Sequence, residues 1–317
     1  MKKIILGAMG LIASFVVADA QFVVTPKTGE PINLEGNIVF SANENSTAWS
    51  LGSEYDSALD ISGIESISLT TGSDAVKVGD FYYSDGTWST NLDDSKTVVG
   101  VVFYVGDPGI DDEALRDAHP GCIHGLVVGL KQSKCEWQDD YSGFDDEADM
   151  TVGEWIEDNT DYVSIATRSE SMSSVFNKIM GYNNTLGIDA FNDGDFGWDY
   201  EVVVGARVSS TMSGVVAPSM TSGWYVPSIK EVSLLCSGET SESIGDLGYE
   251  DTPDNKKNME LVNASLAKID GAAQLGGVYW SSTEYTVSQV HTVQFATGLV
   301  MQTSKGGSNL LRPVLAF

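Results

Sequence analysis

The chain has 317 residues, with 45 acidic against 17 basic side chains and a formal net charge of -28. So acidic a body is repelled by nucleic acid and by anionic lipid, which excludes both as partners. Hydrophobic residues at 42% and aromatics at 9% exclude a disordered acidic chain, and three cysteines are too few for a disulfide scaffold.

The first elements concern targeting. Lys2 and Lys3 precede an apolar stretch from Ile4 to Val17, and Ala18-Asp19-Ala20 has the small-x-small form of a cleavage site. This predicts a signal peptide over 1–20 and a secreted or cell-surface protein. No later segment stays apolar for the roughly 18 residues a spanning helix needs, so the mature chain is not expected to insert in a membrane.

Residues 21–76 read as a β-rich N-terminal segment, with short runs at Phe22 to Val24, Asn37 to Phe40 and Ile64 to Leu69 between Asn, Ser, Gly and Asp clusters. Residues 77–317 read as one domain. Phe81 to Trp88, Val98 to Val105 and Leu126 to Leu130 are strand-like, with a turn at Asn91 to Asp94. Cys122 and Cys135 flank an apolar segment. They are placed either to pair in an oxidising compartment or to pack as small buried hydrophobes, with Cys236 the odd one out.

The spacing predicts three helices. Met172, Val175, Phe176, Ile179 and Met180 make an apolar stripe, with Gly181 as its C-cap. Ser228 and Glu231 form a capping box that starts a helix burying Val232, Leu235 and Cys236. A third runs from Pro253 to Ile269 on the stripe Met259, Val262, Leu266 and Ile269.

The motifs GWYVPSIKEVSLL, GGVYWSSTEY, VQFATG and LLRPVLAF occur in that order. Together they resemble the C-terminal domain of collagen-like bacterial adhesins, a C-type-lectin-like module also found in fimbrial-tip-like secreted proteins. The stretches DFYYSDGTWS, VVGVVFYVGD and CIHGLVVGLK are similar to the front half of such modules. The resemblance implies an α+β fold: a C-type-lectin-like domain with short sheets and about three helices over 77–317. It also implies a scaffold of Trp224, Trp280, Ser228, Glu231 and Arg312. Trp224 and Trp280 are then expected as buried rings whose indole N–H groups need partners, and Arg312 as a tie to an acidic or carbonyl group. The ending is similar as well to lectin domains diversified by retroelements, in which outward positions of the last hairpin vary inside a fixed frame.

Strand parity turns Val293 and Phe295 inward and Thr292 and Gln294 outward. From Met301 to Asn309 no alternation is visible, which reads as an exposed loop. The expected ligand-binding residues are therefore Thr292, Gln294, Thr297, Met301, Gln302, Thr303, Ser304 and Asn309. From Val278 to Phe317 there is one acid, Glu284, and two bases, Lys305 and Arg312, so this surface is near-neutral on an acidic body. That suits a protein or glycan contact.

No cofactor is expected. The Glu-Pro-Asn and Trp-Asn-Asp strings of calcium-dependent sugar-binding lectins are absent. Asp189, Asn192, Asp193, Asp195 and Asp199 form an oxygen-rich cluster that is a candidate for structural calcium, although its spacing departs from an EF-hand loop. No GxSxG, HExxH, P-loop or dinucleotide fingerprint occurs, so an enzyme is not expected. Formylglycine-generating enzymes resemble this fold but need a cysteine pair late in the domain, and Cys236 is the last cysteine here. Two functions follow as expectations: an exported adhesin or surface receptor, or a structural subunit that packs on a partner in an appendage or envelope complex.

Overall fold

The computed structural model describes residues 76–139, 150–166, 176–194, 201–238 and 253–317, together with the backbone of short strands before them. The chain divides into two compact units, Met1–Ala75 and Val76–Phe317. The leader reading over 1–20 lies outside the described residues apart from Ser14, Phe15 and Ala20.

In the first unit, Ala20–Pro26 pairs antiparallel with Ile32–Leu34 on one side and Ile64–Thr71 on the other. A second sheet joins Ser14–Phe15, Ile38–Ala42, Trp49–Ser53 and Leu59–Asp60. The three expected β-runs fall on strands of these two sheets.

The second unit is α+β. Its strands are β1 (Phe81–Tyr83), β2 (Trp88–Ser89), β3 (Val98–Val105), β4 (Gly125–Gly129), β5 (Ser133–Cys135), β6 (Val278–Glu284), β7 (Gln289–Gln294), β8 (Leu299–Ser304), β9 (Asn309–Leu311) and β10 (Val314–Ala316). One sheet has the order β10-β4-β3-β1-β2 and the other β5-β9-β6-β7-β8. The expected strand from Phe81 to Trp88 is broken by a turn whose Gly86 has φ of +80°.

The first sheet is buried on both faces, which is why β3 and β4 read as unbroken apolar runs. Val101, Phe103, Leu126, Val128, Val314 and Ala316 face the main core. Tyr82, Val99, Val127, Leu315 and Phe317 face a smaller cluster, against which Val215, Ala217 and Trp224 pack.

Six α-helices occur among the described residues: α1 (Glu113–Ala118), α2 (Val152–Asn159), α3 (Gly181–Asn192), α4 (Val203–Thr211), α5 (Ile229–Ser237) and α6 (Lys257–Leu266). The sequence reading had about three. The capping box at Ser228 and Glu231 starts α5, and Gly238 ends it at φ of +72°. α5 is buried over its whole length, not on one stripe. The expected third helix is split: Pro253–Lys256 is a 3-10 turn, and α6 follows it.

The first expected helix is corrected. Gly181 opens α3 rather than closing a helix, and residues 176–178 form a turn and bend. Phe176 and Ile179 still pack in the main core. Residues 172–175 lie outside the described residues. Position 181 must be glycine for a local reason: a Cβ there would sit 2.2 Å from Glu231 Oε2 and 2.8 Å from the Val226 carbonyl oxygen.

The three cysteines are thiols, and no disulfide joins them. Cys122 and Cys236 lie in the main core, and Cys135 is half-buried beside the cluster that holds Trp137 and Trp280.

Candidate functional site

The closing hairpin is β7 and β8, in unbroken antiparallel register from Gln289 opposite Ser304 to Gln294 opposite Leu299. Its turn uses Gly298 at φ of +74°, where a Cβ would stand 2.4 Å from Asn255 Cβ. β7 is interior, between β6 and β8, whereas β8 is the outer strand of the sheet.

The scaffold residues hold this hairpin from below. Trp280 on β6 is 0% exposed, and its indole donates to the Cys135 carbonyl at 2.8 Å. Trp137 lies in the same cluster and donates to the Ser281 carbonyl at 2.9 Å. Trp224 is only half-buried, a departure from the expected buried ring, because it caps the smaller cluster at its margin; it donates to the Val215 carbonyl at 3.0 Å. Ser228, the N-cap of α5, and Glu231 in its first turn are both fully buried. The Tyr225 hydroxyl donates to Glu231 Oε1 at 2.7 Å, the Ser228 backbone N–H donates to Oε2 at 2.6 Å, and burial pushes the Glu231 carboxyl up to about 7. Arg312 is buried and donates from Nη1 to Gln132 Oε1 at 3.2 Å, so its partner is a side-chain amide.

Sequence reasoning missed the central contact. Lys305, assigned to an exposed loop, is 0% exposed and ion-paired with Glu284, which is also 0% exposed. The Lys305 ammonium sits 4.8 Å from the centre of the Trp137 ring. Burial lowers its pKa, and the Glu284 charge works against that shift. Glu284 also accepts from the backbone N–H groups of Val152 at 3.2 Å and Gly153 at 2.8 Å, at the start of α2. One carboxylate thus serves a lysine and a helix N-terminus whose amides have no intrahelical acceptor. The available signal was a lone acid in a forty-residue stretch otherwise free of acids.

The eight expected contact residues are not one surface. Gln302 and Ser304 are exposed; Met301, Thr303, Gln294 and Thr297 are half-buried. Thr292 is a correction: it is 0% exposed, and its hydroxyl shares a 2.8 Å hydrogen bond with Thr303. Parity placed it opposite Val293, but both faces of β7 are covered. Val293 faces the main core, whereas Val290, two positions from Thr292 and on its face, packs with Trp280 and Leu311. Strand alternation also puts Met301 and Thr303 on one side of β8 and Gln302 and Ser304 on the other. Gln294 accepts from the Thr297 hydroxyl at 3.1 Å.

The expected loop from Met301 to Asn309 is corrected as well. It comprises the end of β8, a turn, and the start of β9. Asn309 is half-buried opposite Cys135, and β6 and β7 separate its strand from β8. His291 packs on Phe176 with ring centres 4.9 Å apart and on Tyr285 at 5.2 Å, and burial pushes it down to about 4.

Other candidate groups have structural partners. Asp112 caps α1 through Leu115 N–H and accepts from Asn183 N–H, and Asp111 accepts from Ile179 N–H. Within the oxygen-rich cluster, the Asn192 amide clasps both backbone groups of Val202. Asp195 and Asp199 lie outside the described residues. Among the described residues no group of three or more His, Cys, Asp or Glu is placed to hold a metal, and no helix is long and apolar enough to cross a membrane.

No protein-family model matches the chain. It is 26% identical over 244 residues to a putative fimbrium tip subunit, Fim1C, of Bacteroides ovatus; the match covers 70% of this chain and 41% of that protein. Its fold is similar to the crystal structure of a fimbrial protein from Bacteroides ovatus, with a TM-score of 0.59, 20% identity, and coverage of 96% of this chain and 65% of that one. The chain thus spans less than two thirds of either protein.

Proposed function

We propose that this chain is an exported bacterial surface-appendage protein that binds a protein or glycan through the closing hairpin of a C-type-lectin-like domain. The likeness to a putative fimbrium tip subunit carries the appendage part of this reading. The hairpin carries the binding part. Glu284, Lys305 and Arg312, the charged residues from 278 to 317 at neutral pH, are all buried. The hairpin therefore presents an uncharged surface on a body of net charge -28. Gln302 and Ser304, exposed on one side of β8, form its contact surface.

The same likeness supports a second reading equally: a structural or assembly subunit whose hairpin packs on a partner subunit. Glycan and protein arrays probed with the full chain separate the two. A signal on immobilised glycan or host protein, lost when Gln302 and Ser304 are both changed to Lys while melting is unchanged, supports the receptor. Silent arrays, together with tight copurification of one neighbouring-gene product, support the assembly subunit.

A further inference from the structure

The outer strand β8 carries within itself none of the devices that normally protect a sheet edge. Natural edge strands carry charges or proline, bulge away, or are very short. The residues Leu299-Val300-Met301-Gln302-Thr303-Ser304 contain no charge, proline or glycine, and the strand keeps an unbroken six-residue register with β7.

Its backbone polarity can be followed. The Lys305 N–H donates to the Ser288 carbonyl, which makes those two residues a hydrogen-bonded pair. Alternation then turns the N–H and C=O groups of Thr303 and Met301 toward β7, and those of Val300 and Gln302 outward. Phe295 N–H donating to the Gly277 carbonyl fits the same phase on the other side of β7. Among the described residues, no strand pairs with the far side of β8.

We infer that β8 takes an extended segment of a partner polypeptide as an added strand, held mainly by main-chain hydrogen bonds to Val300 and Gln302. This rests on the binding reading above and narrows its ligand to polypeptide. Affinity in such pairing comes from the main chain, with alternate side chains giving selectivity. The occupant is a different chain rather than a second copy, because two bodies of net charge -28 repel one another. The uncharged edge lets a foreign strand approach without desolvating a charge.

The test is selection of a phage-displayed library of random linear peptides on the full chain, followed by affinity measurement of the enriched peptides. Gln302→Ala removes the side chain and keeps the outward N–H, so it is the reference against which the main-chain donor is read. Gln302→Pro removes that donor and should weaken binding about ten-fold or more, the scale of a lost hydrogen bond that leaves its partner unpaired. If Gln302→Pro melts well below the parent, the pair Gln302→Lys and Ser304→Lys replaces it, with the same loss expected. Failure to enrich any peptide above the blank overturns the inference, as does equal binding by the alanine and proline variants. Dimerisation of the chain that Gln302→Pro abolishes would assign the edge to a second copy and also overturn it. Array binding that Gln302→Ala removes and Gln302→Pro weakens no further leaves the wider binding reading intact and removes only the added strand.

Discussion

Glu284 at the end of β6 and Lys305 in the turn after β8 meet inside the domain. The pair ties the end of the hairpin to the strand beneath it. Trp137 closes over the ammonium, and its backbone N–H donates to the Lys305 carbonyl at 2.9 Å. Burying two charges costs desolvation, so the pair holds geometry more than it adds net stability.

Removing one member should therefore be severe. Lys305→Met leaves the Glu284 charge buried and is expected to cost about 3–5 kcal/mol in urea unfolding. Adding Glu284→Gln to it should restore part of that loss. A double variant less stable than Lys305→Met would show that the Glu284 charge matters chiefly for the start of α2.

Trp280→Ala should destabilise by about 3–5 kcal/mol, since the ring is fully buried and its indole serves Cys135. Trp224→Ala should cost clearly less, because that ring is half-buried. Thermal melting of the two variants side by side reads the difference, and equal losses would contradict the burial argument.

Two buried groups should bend the pH–stability curve in opposite senses. Glu231 titrates near 7 in the fold against 4.5 as a free side chain, because burial disfavours its charge. The folded state holds that proton more tightly, so this contribution is complete below 4.5 and is lost as pH rises through 7. His291 titrates near 4 against 6.5, again through burial. Its contribution is complete above 6.5 and is lost as pH falls toward 4. The slopes oppose each other between 4.5 and 6.5. His291→Leu should leave stability falling as pH rises through that window, and Glu231→Gln should leave it rising. Urea midpoints measured across pH 4 to 7 check both signs.

Surface and core positions of the hairpin should separate cleanly. Gln302→Ala should change stability by no more than about 0.5 kcal/mol. Phe295→Ala, at a fully buried ring, should cost about 3–5 kcal/mol. Thr292→Ala should fall between them, through the lost Thr303 hydrogen bond. A Thr292 variant as stable as Gln302→Ala would return that residue to the surface.

The strand Val98–Val105 and the Ser228–Glu231 box were legible because each carries a local signal: an apolar run with β-branched residues, and a hydroxyl three positions before a glutamate. The same box at Thr151 and Glu154 starts α2 and went unread, since the helix behind it has only eight residues. α3 and α4 were hidden by their composition. One holds two glycines and three asparagines, and the other is rich in valine, serine and threonine. Tertiary packing overrode those propensities. The location of the hairpin was legible, but the facing of Thr292 was not, because parity orders residues on a strand without saying which faces are covered. The meeting of Lys305 with Glu284 depends on strands brought together only by the sheet.

The strand Val314–Ala316 pairs with β4 through Leu126, Val127 and Val128. The first sheet is therefore open on one side until the chain has been made past β9. A growing chain shows an apolar β4 edge while everything between β4 and β10 is made, and loop-closure entropy delays the contact that covers it. Such a polypeptide completes its fold late. Removing the strand Val314–Ala316 should harm yield far more than its three residues suggest.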